Sequence, residues 1–278
     1  MLTMILSRTV AEAPIASDAR PSERWGRLSR WRGGSQMASP ARAPFAPAVA
    51  TTLSLWLLSG ILLLTLSSAL ADNNIRVSGE RLNRAGLADL RVVAPGIVVD
   101  LRYATTNNVA GKRLYPSGMP CLLHRSTAYK LAEAQELLRR EGFGLKVWDA
   151  YRPPQAHRAL WKAAPSSNYV VPPSAGLSRH CAGVAVDVTL VDSQGREMRM
   201  PTKFDSFSPE ASSFYRGGDP EVRQNLERLQ RAMRKAGFVT IPNEWWHFDE
   251  AGPTSLKAVP AGALGIEMPS HVRIFDHS

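Results

Sequence analysis

Two segments of this chain carry side chains that could hold a catalytic metal ion. The first, Ser178–Leu190, contains His180 and Asp187, and the second, far downstream, reads Glu244-Trp245-Trp246-His247. Two imidazoles, one carboxylate ligand and one spare carboxylate are the ligand set of a catalytic zinc site, with a fourth position open for water and a general base beside it. A structural zinc is more often closed by four protein ligands, usually with thiolates. The two segments therefore predict metal-assisted hydrolysis.

The local pattern of the first segment indicates how its side chains could meet. Gly183–Leu190 is rich in β-branched residues and predicts a strand. Side chains alternate along a strand, so Asp187 lies between small residues on the face opposite the valines, which leaves room for a metal. His180 precedes the strand, and Gly183 lets the chain bend so that His180 and Asp187 can reach one ion.

In the second segment, Glu244 and His247 are three residues apart, which would place them on opposite faces of a regular strand. Two tryptophans lie between them, so we expect an irregular or bent strand end rather than a helix. Each segment alone has a plainer explanation, since a histidine seven residues before an aspartate is a common coincidence and Trp-Trp-His is often core packing. Their conjunction, with a helix between them, favours the metal site.

Three further blocks extend the pattern. In chain order the five blocks are Asp100–Asn108 (DLRYATTNN), Trp148–Pro153 (WDAYRP), Ser178–Leu190, Lys203-Phe204-Asp205 and Glu244–Phe248 (EWWHF). Together they resemble the zinc D-alanyl-D-alanine dipeptidases of the VanX type, within the wider group of D,D-peptidases that share this zinc site. The resemblance implies one zinc ion per chain, in the central cleft of a small mixed or antiparallel sheet flanked by helices.

The resemblance also implies a role for each site residue. The correspondences are zinc ligands at His180, Asp187 and His247, a catalytic base at Glu244, an oxyanion-stabilising arginine at Arg152, an anchor for the substrate ammonium at Asp205, and substrate-pocket positions at Tyr103 and Ser178. Cys181-Ala182 departs from the family's usual Ser-Arg, and about thirty residues follow His247. Both departures could alter the rim of the pocket.

Arg152 and the nearby Asp149 have other interpretations when the residues are taken alone. Arg152 could be a surface arginine at a helix start, because Pro153-Pro154 should open a helix that runs to about Ala164. Asp149 could equally be a helix N-cap.

The N-terminal quarter of the chain predicts export. Residues 51–71 form an uncharged apolar run that ends in Ala69-Leu70-Ala71, which is typical of a secretory signal cleaved after Ala71. The alternative is an uncleaved membrane anchor, for which the run is near the lower length limit. Residues 1–50 are rich in Arg, Ala, Ser and Pro, and are either the product of a start placed too early, with Met37 as the true start, or a disordered cytoplasmic extension.

The remaining residues, 72–278, suit a single peptidase domain with a C-terminal tail. Without residues 1–71 the net charge falls from +10 to +6. A mildly basic periplasmic enzyme suits a setting beside anionic cell-wall polymers, and no basic cluster interleaved with aromatics indicates nucleic-acid binding. The expected partner is a small dipeptide, with membrane contact only through the uncleaved signal. The oligomeric state stays open.

The order of elements predicts an α+β fold, because strands and helices do not alternate regularly. We expect strands at Ile97–Tyr103 and Leu145–Trp148, and a helix from a Ser126 cap to Arg140 with Gly142 beyond it. A second long helix should begin at Asp219-Pro220 and end at Gly237. Its buried stripe should comprise Val222, Leu226, Leu229 and Met233.

Two questions remain open from the sequence, the state of the cysteines and the choice among three functions. Cys121 and Cys181 could form a disulfide in an oxidising compartment, or Cys181 could remain a thiol beside His180. The enzyme could be a dipeptidase of D-Ala-D-Ala in cell-wall turnover, or a carboxypeptidase or endopeptidase on longer peptidoglycan stems. A non-catalytic zinc-bearing module is the third alternative, but it would have no need of a base at Glu244.

Overall fold

The computed structural model describes residues 74–164, 166–252 and 257–274. The predicted extension and signal segment, residues 1–71, lie outside these ranges. Among the described residues, no helix combines the length and apolar character needed to cross a membrane.

Short elements at the start of the described chain are followed by two long helices and a sheet. The helices are α1 (Gly79–Ala85), α2 (Leu90–Val93), α3 (Arg125–Arg139), α4 (Pro154–Ala163), α5 (Pro220–Lys235) and α6 (Ser270–Arg273). The strands are β1 (Leu87–Asp89), β2 (Val98–Val99), β3 (Leu122–His124), β4 (Phe143–Asp149), β5 (Ala185–Asp192), β6 (Phe238–Ile241) and β7 (Glu244–Glu250).

The main sheet has the strand order β2-β4-β5-β7-β6. The β2–β4 pair is parallel and the other pairs are antiparallel, while β1 and β3 form a separate antiparallel pair. The predicted α+β class with a small mixed sheet flanked by helices is therefore confirmed.

Strand β5 runs through the middle of this sheet. Its residues are buried from Ala185 to Val191, so both faces of the strand are covered, as expected for a central strand rich in valine. Val186, Val188 and Leu190 are fully buried, and burial of each such side chain stabilises the fold by about 1.5–3 kcal/mol. Asp187 is thus carried on a rigid element.

The long helices follow their sequence signals, with one exception. The Asp219 side chain caps α5 by accepting from the amides of Glu221 and Val222, and the predicted apolar stripe of α5 is buried. Leu131, Ala134 and Leu138 form the buried face of α3. The predicted Ser126 cap of α3 is wrong: the helix begins at Arg125, and the Ser126 hydroxyl instead donates to Glu250 on β7. The Glu250 carboxylate also forms an ion pair with Lys130. Ser126 therefore has a distant side-chain partner in place of a helix amide.

The prediction of a strand at Ile97–Tyr103 is largely wrong. Only Val98–Val99 pair with β4, and Arg102–Ala104 form a 3₁₀ turn. Tyr103 accepts backbone bonds from Leu114 and Tyr115, which draw the chain away from the sheet.

The structure also shows the state of the two cysteines and the place of the C-terminal tail. Cys121 and Cys181 are both buried free thiols, so the structure contains no disulfide between them. The chain after Phe248 completes β7 and then packs on the core, where Ala261, Leu264 and Val272 are buried. Burial of these side chains identifies the described part of the tail as part of the folded domain.

Candidate metal centre

Three strands place acidic and imidazole side chains in one row across the sheet. Asp187 on β5 lies directly opposite His247 on β7 and opposite Asp149 on β4. Directly opposed residues of antiparallel strands share a face, so the register itself brings these side chains together. A one-residue register shift after Val147 aligns Asp149 with the row, and such bulges are common beside active sites.

A 3₁₀ turn, Arg179–Ala182, brings His180 to the same row. Ser178 caps the turn by accepting from the His180 amide, and Gly183 ends it with φ of 71°. A Cβ atom at Gly183 would lie 2.8 Å from the His124 amide nitrogen, so both the positive φ and the close approach require glycine here. The bend that the sequence predicted at Gly183 is confirmed.

The three predicted ligand atoms form a nearly equilateral triangle. His180 Nε2 lies 3.2 Å from His247 Nδ1 and 3.3 Å from Asp187 Oδ1, and His247 Nδ1 lies 3.0 Å from Asp187 Oδ1. Adjacent ligands of a tetrahedral ion bound at 2.0–2.1 Å are about 3.3 Å apart. The three side chains therefore fit one face of a tetrahedral metal site with a fourth position open.

The charges of these groups depend on one another. Burial lowers the pKa of His247, but the adjacent carboxylates of Asp187 and Asp249 raise it to about 10, so a bound metal ion would displace a proton from this ring. Burial raises the pKa of Asp187, but the two imidazoles outweigh burial and hold that pKa well below its usual range. Asp187 is therefore ionised. His180 Nδ1 lies 2.8 Å from the Ala150 carbonyl oxygen, and donation of its N–H there leaves Nε2 free as a ligand.

Glu244 reaches this triangle because the β6–β7 hairpin is irregular. Ile241 pairs with Glu244 and Thr240 with Phe248, so the register shifts and Trp245–His247 bulge out of the ladder. The predicted irregular strand end is confirmed. Glu244 Oε2 lies 3.8 Å from His247 Nδ1, beside the triangle rather than within it. Burial raises the pKa of Glu244 to about 8, and a divalent cation nearby would lower it.

Arg152 is buried rather than on the surface. Its guanidinium donates to Asp149 at 2.8 Å and lies 3.5 Å from Asp187 Oδ2. The other Asp149 oxygen accepts from the Tyr115 hydroxyl at 2.5 Å, so Asp149 is an acceptor for these groups and not a helix N-cap. The alternative interpretations of Arg152 and Asp149 are both wrong, because tertiary contacts fix these side chains. Arg152 presents a fixed positive charge beside the triangle.

Asp205 supplies a further carboxylate to the site, from a loop. Its φ of 56° is the sole positive value for a non-glycine residue in the described chain, and such backbone strain is frequent at functional sites. It accepts from the Tyr103 hydroxyl at 3.1 Å and from the Val109 amide at 3.0 Å. Asp205 is half-buried and faces the cavity, and desolvation raises its pKa to about 7. No ion pair with Asp205 occurs among the described residues.

The predicted site residues line a single cavity of about 140 Å³. Pockets for drug-sized ligands typically measure about 300–1,000 Å³, so this cavity suits a much smaller molecule. Part of its wall is formed by Tyr169, which stacks on Phe207 at 4.5 Å between ring centroids. The predicted site residues that line it are Tyr103, Arg152, Ser178, His180, Asp187, Asp205, Glu244 and His247.

Sequence reasoning missed several residues that shape the site. Asp149 and Tyr115 meet across 34 positions of sequence, and local spacing carries no signal of such a pair. Asp249 also lines the cavity, and its position two residues after His247 on one strand was the available signal.

Comparison with known proteins gives a consistent result. A family profile described as Peptidase_M15, D-ala-D-ala dipeptidase, matches residues 83–260, a span that holds all eight predicted site residues. The D-alanyl-D-alanine dipeptidase of Escherichia coli strain K12 is 37% identical over 163 residues, covering 59% of this chain and 83% of that protein. The enzyme of the same name from Enterococcus faecium is 30% identical over 204 residues, covering 63% and 98% respectively.

Proposed function

Because the chain belongs to the D-Ala-D-Ala dipeptidase family of metallopeptidases, we propose that it hydrolyses D-alanyl-D-alanine to two D-alanines with one bound zinc ion. The observation that carries the proposal is the triangle of His180, Asp187 and His247 with Glu244 beside it. The donor set and spacing suit zinc with an open position, which distinguishes a catalytic site from a closed structural one.

The bound ion would supply Lewis acidity and lower the pKa of water. Glu244 takes the proton from the attacking water and delivers it to the leaving amine, a role that contributes typically 10²–10⁴-fold. Arg152 is held by Asp149, so its charge is preorganised for the oxyanion that develops at the scissile carbonyl. Such donors are worth about 3–4 kcal/mol in the transition state.

Asp205 selects the substrate. Its half-buried carboxylate accepts from two hydrogen-bond donors and, among the described residues, has no ion-pair partner, so the ammonium of a dipeptide can complete its contacts. Tyr103 orients Asp205, and Ser178 lines the cavity while capping the His180 turn. An anionic anchor suited to a free amine and a cavity of about 140 Å³ both favour a dipeptide substrate over the carboxypeptidase and endopeptidase alternatives. Glu244 argues against the non-catalytic module, since binding alone needs no base.

We further propose that the enzyme acts outside the cytoplasm in cell-wall peptide turnover. Support comes from residues 51–71, whose apolar run and Ala-Leu-Ala ending suit signal cleavage after Ala71 and release into the periplasm. An uncleaved segment would give a membrane-anchored enzyme on the same side.

A substrate panel tests the proposal. The chain from Asp72 onward should hydrolyse D-Ala-D-Ala, and should act poorly on L-Ala-L-Ala and on a stem pentapeptide. A chelator should abolish turnover and added zinc should restore it, while His180→Ala should show neither turnover nor tight zinc binding. Faster release of D-alanine from the pentapeptide than from the dipeptide would reassign the enzyme as a carboxypeptidase.

A further inference from the structure

The two imidazoles present opposite ring nitrogens to the triangle. His180 uses Nε2, and its Nδ1 faces the Ala150 carbonyl. His247 uses Nδ1, and its Nε2 lies 3.0 Å from Asp249 Oδ1. Each ring nitrogen outside the triangle therefore has an oxygen acceptor, but for His247 the acceptor is a carboxylate with no role assigned so far.

Asp249 is itself held by a cation. Arg179 Nε lies 3.1 Å from Asp249 Oδ1, as an ion pair rather than an aligned hydrogen bond. Arg179 Nη2 also donates to the Glu250 carbonyl at 2.6 Å. Since Arg179 is the immediate neighbour of His180, these contacts join the turn that carries one histidine to the strand that carries the other.

We propose that Asp249, held by Arg179, is a positioning residue that fixes His247 as an Nδ1 ligand. Neutral imidazole carries one N–H, and the proton must lie on Nε2 if Nδ1 is to offer its lone pair to a metal. A carboxylate at Nε2 selects that tautomer, locks the ring plane and raises the basicity of Nδ1. This inference rests on the proposed zinc site.

Zinc affinity, measured by competition with a chromophoric chelator, tests the inference without reference to turnover. Asp249→Ala should weaken zinc binding about 10–100-fold, the usual loss for such a partner of a metal ligand. Asp249→Asn should fall between wild type and Asp249→Ala, because the amide oxygen still accepts from Nε2–H but carries no charge. Asp192→Ala is the matched control, since it breaks an Asp–Arg pair at the far end of β5.

A second measurement reports the hydrogen bond at His247 Nε2 directly. Nitrogen-15 shifts of His247 in the zinc-loaded protein should show Nε2 protonated in the wild type and Asp249→Asn proteins, and a loss of that hydrogen bond in Asp249→Ala. If Asp249→Ala binds zinc as tightly as Asp192→Ala does, the inference is overturned. If Asp249→Ala does not fold, a wild-type zinc affinity in Asp249→Asn would overturn it instead. Absence of zinc binding by the wild type would instead overturn the proposed function.

Discussion

The ionisation of Asp205 should control dipeptide affinity. Desolvation raises its pKa to about 7, while its hydrogen bond from the Val109 amide acts in the opposite direction. The ammonium of the substrate needs the ionised form, so protonation of Asp205 competes with binding. The substrate amine, with an ordinary pKa of about 7.7–8.0, stays charged below pH 7 and does not contribute to the change.

The size of the effect follows from the ionised fraction. When only a fraction of the protein is competent, the apparent dissociation constant equals the intrinsic one divided by that fraction. With a pKa near 7, affinity should therefore weaken about fivefold between pH 7 and pH 6, and about ninefold more between pH 6 and pH 5. A cation at the triangle would move this midpoint to lower pH and leave the slope unchanged.

Calorimetry of the zinc-loaded Glu244→Gln protein can measure this binding without turnover. Binding of D-Ala-D-Ala below the midpoint should release nearly one proton per site, visible as a dependence of the observed heat on buffer ionisation enthalpy. The double variant with Asp205→Asn should bind weakly, with affinity independent of pH and no proton release from this position. Persistence of the full pH dependence in the double variant would refute the assignment of Asp205 as the anchor.

Three further results are expected. Glu244→Gln should keep its zinc while kcat falls about 10²–10⁴-fold with little change in KM, and loss of zinc or unchanged turnover would each contradict its role as base. In the metal-free protein, Asp205 has a folded pKa above its unfolded value, so its contribution to stability is lost as pH rises from about 4 to 7. The melting temperature of Asp205→Asn, relative to that of the wild type, should therefore rise across that pH range. The protein purified from its native cells should begin at or near Asp72, whereas an intact apolar segment in the membrane fraction would indicate an anchor.

Features set by short-range pattern were predictable from the sequence. Asp219-Pro220 and Pro154 favour a helix start through their own backbone and the first helical turn alone, and α5 and α4 both begin where expected. The strand around Asp187 and the irregular approach to His247 also follow from alternation and from residue size. Two of the three predicted ligands, Asp187 and His247, lie on these strands, and His180 lies on the turn before the first of them.

Features set by long-range partners were not predictable. The Ser126 hydroxyl does not cap a helix, because it donates to Glu250, 124 positions away. Asp149 accepts from the Tyr115 hydroxyl and not from a helix amide. Ile97–Tyr103 has the composition of a strand, yet backbone bonds from Leu114 and Tyr115 to Tyr103 override it. Local propensity is a weak prior that tertiary contacts displace.

The arrangement of the site separates rigid from adjustable parts. Asp187 and His247 are fixed by strand register, and a one-residue slip would turn both side chains to the other face of the sheet. Asp205 instead lies on a loop, in a backbone conformation that costs about 1–3 kcal/mol and persists only because Tyr103 and Val109 hold it. Substitutions near Asp205 should therefore change which molecules bind while leaving the metal geometry intact, whereas substitutions that disturb the β5–β7 register should remove the metal site and the activity together.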